Sequence, residues 1–154
     1  MDYIVSMEEI CATNALRLLQ AADEIRARLS GEFSAVHGLS VNEYFLLLHM
    51  DNASLNRLSR VELAKRMHVS ASTVTRMVAP MEKLGLVARQ VAERDARIAY
   101  VAMTDAGRKK LGEARATFAI QAGYVFQDRW DEDALEQLSG LLNRLVAGSP
   151  ANLS

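Results

Sequence analysis

The sequence predicts a mainly α-helical chain interrupted once by a small β-hairpin. Two observations carry this. Half of the 154 residues are hydrophobic while aromatics are few, and such an Ala-, Leu-, Met- and Val-rich composition favours helix over sheet. Helical periodicity recurs along the chain, and only residues 86–103 read as two short extended runs around a charged tip. The length suits one domain spanning 1–154.

The first helix is expected over about 3–30. Ile4, Met7, Ile10, Cys11, Ala15, Leu18, Ala22, Ile25 and Leu29 recur at steps of three and four, with no Gly or Pro among them. A helix of ~40 Å, at 1.5 Å per residue, carries a stripe too long for a small domain to cover alone, so it needs a partner. Ser30-Gly31 reads as its end, and 32–39 as a loop or one helical turn.

Three helix starts follow. Ser40 with Glu43 forms a capping box, with Leu39 and Tyr44 as a hydrophobic staple. Ser59 with Glu62 forms a second, with Leu58 and Leu63 as staple. Ser70 caps a third, flanked by Val69 and Val74. The helix after Ser40 runs to about Met50, the next ends near His68, and the third stops at Leu84-Gly85. Two short helices across a tight turn, the second carrying polar Ser, Thr and Arg, form the helix-turn-helix pattern. Val74, Met77, Val78 and Met81 make its inward stripe. Pro80 removes a hydrogen bond to the Arg76 carbonyl and is expected to kink the helix there.

Leu86–Val91 and Ile98–Met103 then pair around 92–97 as a wing. Thr104 caps a fifth helix, with Asp105 in its first turn and Leu111, Ala114, Phe118, Ala122, Val125 and Phe126 as its stripe. Asp131 caps the sixth, whose stripe is Leu135, Leu138, Leu141, Leu142 and Leu145. Residues 147–150 close it, and the tail is expected to fray.

Charge sharpens the reading. The net charge is −1. Yet residues 57–110 hold twelve Lys or Arg against five Asp or Glu, a local +7 between acidic ends that sum to −8. A basic middle is the footprint of a phosphate-facing lobe. The single cysteine excludes an internal disulfide. No secretory signal or membrane-length apolar run is visible, so a cytoplasmic location is expected. No nucleophile elbow, Gly-rich phosphate loop or metal motif is present, and His37, His49 and His68 lack ligand spacing. Neither an enzyme nor a cofactor is expected.

The stretch RDARIAYVAMTDAGRKKL, Arg94 to Leu111, resembles the wing signature of the MarR family of bacterial transcription regulators. Asp95, Arg97, Met103, Thr104 and Gly107 fill its places, and Leu58 to Arg89 fits the two helices and turn before it. Ala96 departs from the family's frequent second Arg, and Pro80 departs in the helix. The resemblance covers about Ile4 to Val146. It implies a winged helix-turn-helix flanked by N- and C-terminal dimerisation helices, with a DNA-binding lobe over about 40–104 and dimerisation helices over about 3–30 and 105–147. It also implies a homodimer on duplex DNA, with release by a small molecule or an oxidant.

Specific residues follow. Ser70, Ser72, Thr73, Thr75 and Arg76 are the candidates for reading DNA, since helix N-termini suit phosphates and an Arg can fork to guanine. Arg60, with Arg57, would meet the backbone, and Arg94 and Arg97 would take the wing to a minor groove. Asp95 is expected to hold Arg97 across the turn. By family analogy an effector pocket would lie near Phe33, His37, Tyr44 and Phe118. Cys11, beside acidic Glu8 and Glu9, reads as a core cysteine, with a redox role as the alternative. The expected function is a ligand-responsive repressor on a pseudo-palindromic operator. A redox regulator, or a winged-helix protein-interaction module, is the alternative.

Overall fold

The structure, a computed structural model, describes residues 5–153. Tyr3, where the first helix is expected to begin, and Ile4 of its stripe lie outside these described residues. The elements are α1 (Met7–His37), α2 (Val41–Asp51), β1 (Arg57–Ser59), α3 (Arg60–Met67), α4 (Ala71–Lys83), β2 (Val87–Val91), β3 (Ala99–Met103), α5 (Asp105–Phe126) and α6 (Glu132–Val146). The strands form an antiparallel sheet in the order β1-β3-β2, with Val101 opposite both Leu58 and Arg89.

The first helix differs from expectation at both ends. It starts at Met7 because Ser6 and Glu9 form a capping box, Ser6 Oγ accepting from the Glu9 N–H at 3.2 Å and Glu9 from the Ser6 N–H at 2.8 Å. It runs straight through Ser30-Gly31 and stops only at Gly38, whose φ of 63° supplies the left-handed cap. The extension is favoured by packing: Phe33, one turn beyond the expected end, is fully buried, and burying such a side chain is worth roughly 1.5–3 kcal/mol. That outweighs the propensity penalty of one Gly, about 1 kcal/mol.

The core is concentrated in the middle of the chain. Phe33, Leu46, Leu47, Leu63, Val74, Val78, Val101 and Leu111 are almost wholly buried. The inward stripe of α4 is as predicted in Val74, Val78 and Met81, and the helix remains continuous through Pro80. The ends of the long helices are different. Met7, Leu19 and Ile120 are 74%, 67% and 59% exposed, and no residue of α6 is buried. Cys11 is exposed too, so the expected core position is not met within one chain.

The tail corrects a further expectation. It is held rather than frayed. Ser149 N–H donates to the Val146 carbonyl, Ala151 N–H to Ser149 Oγ, and Asn52 Nδ2 to the Leu153 carbonyl at 3.2 Å.

Candidate nucleic-acid interface

The helix-turn-helix is fixed by local hydrogen bonding at each joint. Ser59 and Glu62 complete their reciprocal box, at 2.8 and 3.2 Å. The Ser59 backbone N–H, foremost, holds the Glu62 carboxyl below its ordinary pKa. His68 ends α3 in the left-handed region, with φ 53°, which turns the chain sharply into α4. Ser70 Oγ then accepts from the Thr73 N–H at 3.1 Å and lies 2.9 Å from both the Ser72 and Thr73 hydroxyls.

These bonds sort the recognition candidates. Ser70 and Thr73 are engaged in the cap. Thr75 donates its hydroxyl back to the Ala71 carbonyl, and Arg76 Nη2 donates to Thr73 Oγ1 at 3.3 Å. Ser72, Thr75 and Arg76 are exposed, with Thr73 half-buried beside them. The arrangement displays one guanidinium above a helix N-terminus rich in hydroxyls, a surface suited to a polyanion.

The wing is organised by Asp95. Its Oδ1 accepts from both the Arg97 backbone N–H (3.0 Å) and Nε (3.1 Å), and its Oδ2 accepts from Nη2 at 3.3 Å. The Arg97 side chain remains 91% exposed. The arginine side chain, then its backbone N–H, holds the Asp95 carboxyl below its ordinary pKa. Arg94 is exposed at the same tip.

Arg60 is half-buried, its Nε enclosed without a hydrogen-bond partner. It lines a cavity of about 320 Å³ with Arg89, Arg97, Glu82 and Tyr100. The fold thus brings two predicted residues, Arg60 and Arg97, to one cleft between the helix-turn-helix and the wing. It adds Arg89, a strand residue by sequence, which only the pairing of β2 with β3 brings to the cleft. Arg57 does not line this cleft. Its guanidinium lies over the Tyr100 ring at 4.4 Å and donates to Gln90, inside the sheet that β1 completes.

The four aromatic residues expected at an effector pocket do meet. Phe33 packs against Tyr44, His37 and Phe118 with centroids 4.9, 5.8 and 6.4 Å apart, and His37 Nε2 lies 2.7 Å from Thr117 Oγ1. The rings occupy the space between them, so they form a packed cluster rather than an open pocket. Burial of Tyr44 raises its phenol pKa, against the opposing charge of Arg115. Open space, about 230 Å³, lies alongside between α1, α2 and α5, reached by Phe118 alone of the four.

Residues 37–98, from the end of α1 through the helix-turn-helix, β2 and the wing tip, match the model of the MarR family. The chain is 28% identical over 116 residues to the HTH-type transcriptional repressor YetL of Bacillus subtilis (strain 168), covering 73% of this chain and 70% of that protein. It is 26% identical over 109 residues to the HTH-type transcriptional regulator YdgJ of the same organism, covering 71% of this chain. That match spans 65% of YdgJ. Over that lobe the chain is similar to the MarR family. The whole fold agrees: Sco3205, a MarR family transcriptional regulator from Streptomyces coelicolor solved in complex with DNA, superposes with a TM-score of 0.76 at 22% identity, covering 96% of this chain and 91% of that one. MarR proteins are transcription regulators rather than enzymes. Among the described residues no helix is long and apolar enough to cross a membrane.

Proposed function

We propose that this chain is a regulator of the MarR type, a cytoplasmic homodimeric repressor that reads a pseudo-palindromic operator and releases it on binding a small effector. The observation that carries the reading is the exposed row Ser72, Thr75 and Arg76 on α4 beside a wing whose Arg97 is held outward by Asp95. Bases would be read from Arg76, and phosphates would meet Arg60, Arg94, Arg97 and the start of α4 around Ser70 and Thr73. Two copies would place two such helices about one helical turn apart, ~34–36 Å.

The exposed apolar residues of α1, α5 and α6 support the homodimer. A monomer rarely leaves so large an apolar area to water, and a second copy would bury Met7, Leu19, Ile120 and the α6 leucines. The aromatic cluster and the adjoining space between α1, α2 and α5 support a small-molecule response.

The test is selection of bound fragments from genomic DNA, followed by anisotropy titration and sedimentation of the complex. Two chains per palindromic site and tight binding at one sequence class are expected. Absence of any shift at low salt would sink the DNA reading in favour of a protein-interaction module. Peroxide-driven release that disappears in Cys11→Ser would replace the small-molecule reading by a redox one.

A further inference from the structure

The segment after α6 turns back by local rules. Gly148 takes φ 74°, a left-handed conformation that favours glycine, and so carries the chain off the end of α6. Ser149 then opens a tight turn. Its N–H donates to the Val146 carbonyl at 3.0 Å, its Oγ accepts from the Ala151 N–H at 3.2 Å, and its carbonyl accepts from the Asn152 N–H at 3.1 Å. Pro150, second in that turn, is preset to the φ the position needs. The turn delivers Leu153 to the end of α2, where the Asn52 side chain donates to the Leu153 carbonyl at 3.2 Å.

This docking is out of proportion to the helix before it. No residue of α6 is buried, yet Ala151, Asn152 and Leu153 are all half-buried. Ala151 and Leu153 share the walls of one cavity, about 180 Å³, with Phe45 and His49 of α2 and with Met67 and His68 at the end of α3. The tail thereby reaches the sharpest bend of the helix-turn-helix. His68 makes that bend with φ 53°, a conformation that a residue other than glycine keeps only when its surroundings hold it. Its N–H reaches the Lys65 carbonyl at 3.4 Å, and the Val69 N–H reaches that of Ala64 at 3.1 Å.

We propose that residues 149–153 are a strap, tying the end of α6 to α2 and steadying the bend between α3 and α4, so that it sets where α4 stands against the rest of the lobe. With the strap docked, the bend has a wall beside it and α2 is tethered next to it. With the strap free, Phe45 and Met67 gain solvent and the bend samples more than one arrangement. One consequence rests on the reading of α4 as the helix that meets DNA. A lobe that is only part of the time in its competent arrangement binds more weakly by that fraction.

Asn52→Ala removes the tether, and Leu153→Ala strips the apolar cover; neither residue belongs to the buried core. Amide NMR on the full chain without DNA is the first measurement. In each variant the Ala151 and Asn152 signals should move toward those of an unstructured chain, and the His68 and Val69 signals should shift and broaden, the mark of microsecond-to-millisecond exchange. Leu111 and Ala114, buried in α5, should keep their positions and widths. Unchanged signals at His68 and Val69, or equal changes at Leu111 and Ala114, would overturn the strap. Titration of a selected duplex is the second measurement. Each variant should bind about two- to tenfold more weakly, the scale of one neutral hydrogen bond. The slope of log K against log salt should stay the same, because no phosphate contact is lost. Full affinity, or a flattened slope, would overturn the placing of α4 by the strap. A wild-type chain that binds no duplex would instead fail the DNA reading, and the NMR comparison would still decide the strap.

Discussion

Thr104 and Gly85 meet across the foot of the wing, the threonine hydroxyl donating to the glycine carbonyl. The Thr104 N–H donates to the Leu86 carbonyl at 3.1 Å, and its Oγ1 accepts from the Gly107 N–H at 3.0 Å. One residue therefore closes the exit of the recognition helix and caps α5. Gly107 is packed so tightly beneath this junction that a Cβ there would overlap the Leu86 carbonyl oxygen. This gives the Thr-x-x-Gly of the wing signature a physical reason.

Gly107→Ala is expected to lower stability by at least ~1–3 kcal/mol, the usual range for forcing an extra carbon into a packed site. Urea unfolding measures it. Gly112→Ala, where nothing lies within 4 Å of the added carbon, is the control and should gain up to about 1 kcal/mol from helix propensity. Equal midpoints for the two variants would contradict the packing argument.

Arg97→Ala is expected to weaken DNA binding and to flatten the plot of log K against log salt by roughly 0.9, one phosphate contact. Asp95→Ala keeps the Arg97 charge, removes the carboxylate's own and frees the arginine side chain. It should lower affinity while leaving the slope nearly intact, a contrast visible only if both variants are titrated across salt.

Arg76→Ala should alter sequence preference more than Arg97→Ala does, because a bidentate contact to a base is worth about 1–3 kcal/mol of discrimination. Competition between selected and random duplexes reports it. Parallel losses on both duplexes would reduce Arg76 to a backbone contact.

Acid should cost stability through His49. Its pKa is held below the ordinary value of 6.5 by burial first and by the Arg66 charge second. The unfolded chain therefore protonates before the folded one. The contribution is complete above about 6.5 and is lost as pH falls through the interval between the unfolded and folded values. Thermal melts from neutral to mildly acid pH should show a slope that His49→Leu reduces; an identical slope in the variant would refute this.

Arg115 Nη2 donates to Asp51 Oδ2 at 2.7 Å, joining α5 to the end of α2. With Arg115 half exposed, a double-mutant cycle through Arg115→Ala and Asp51→Ala should return a coupling of only ~0.2–1 kcal/mol. A value several times larger would mark this pair as a structural anchor between the lobes.

The helix starts after Ser40, Ser59, Ser70, Thr104 and Asp131 were legible because each cap uses side-chain atoms a few residues apart. The Asp95–Arg97 clasp was legible for the same reason. The Ser6–Glu9 box is equally local, but the apolar stripe continues upstream of it to Ile4 and masks it in the sequence. What was not legible depends on distant partners. β1 is three residues long and exists only because β3 lies beside it. Helix α1 passes Gly31 because Phe33 finds Tyr44 and Phe118. The seat of Arg57 over the Tyr100 ring depends on β1 lying beside β3. The tail reads as loose until Asn52, a hundred residues away in sequence, reaches Leu153.

The length of α1 has a mechanical meaning. Thirty-one residues without a break make a rod of roughly 46 Å at 1.5 Å per residue. Its Gly38 end is rooted beside the aromatic cluster and α2, and its Met7 end stands clear. A tilt of ~5° about the rooted end would swing the far end by roughly 4 Å, from that length alone. A repacking at Phe33 or Tyr44 that tilted the rod so far would be magnified, by leverage, into a displacement comparable with the rise of one base-pair step.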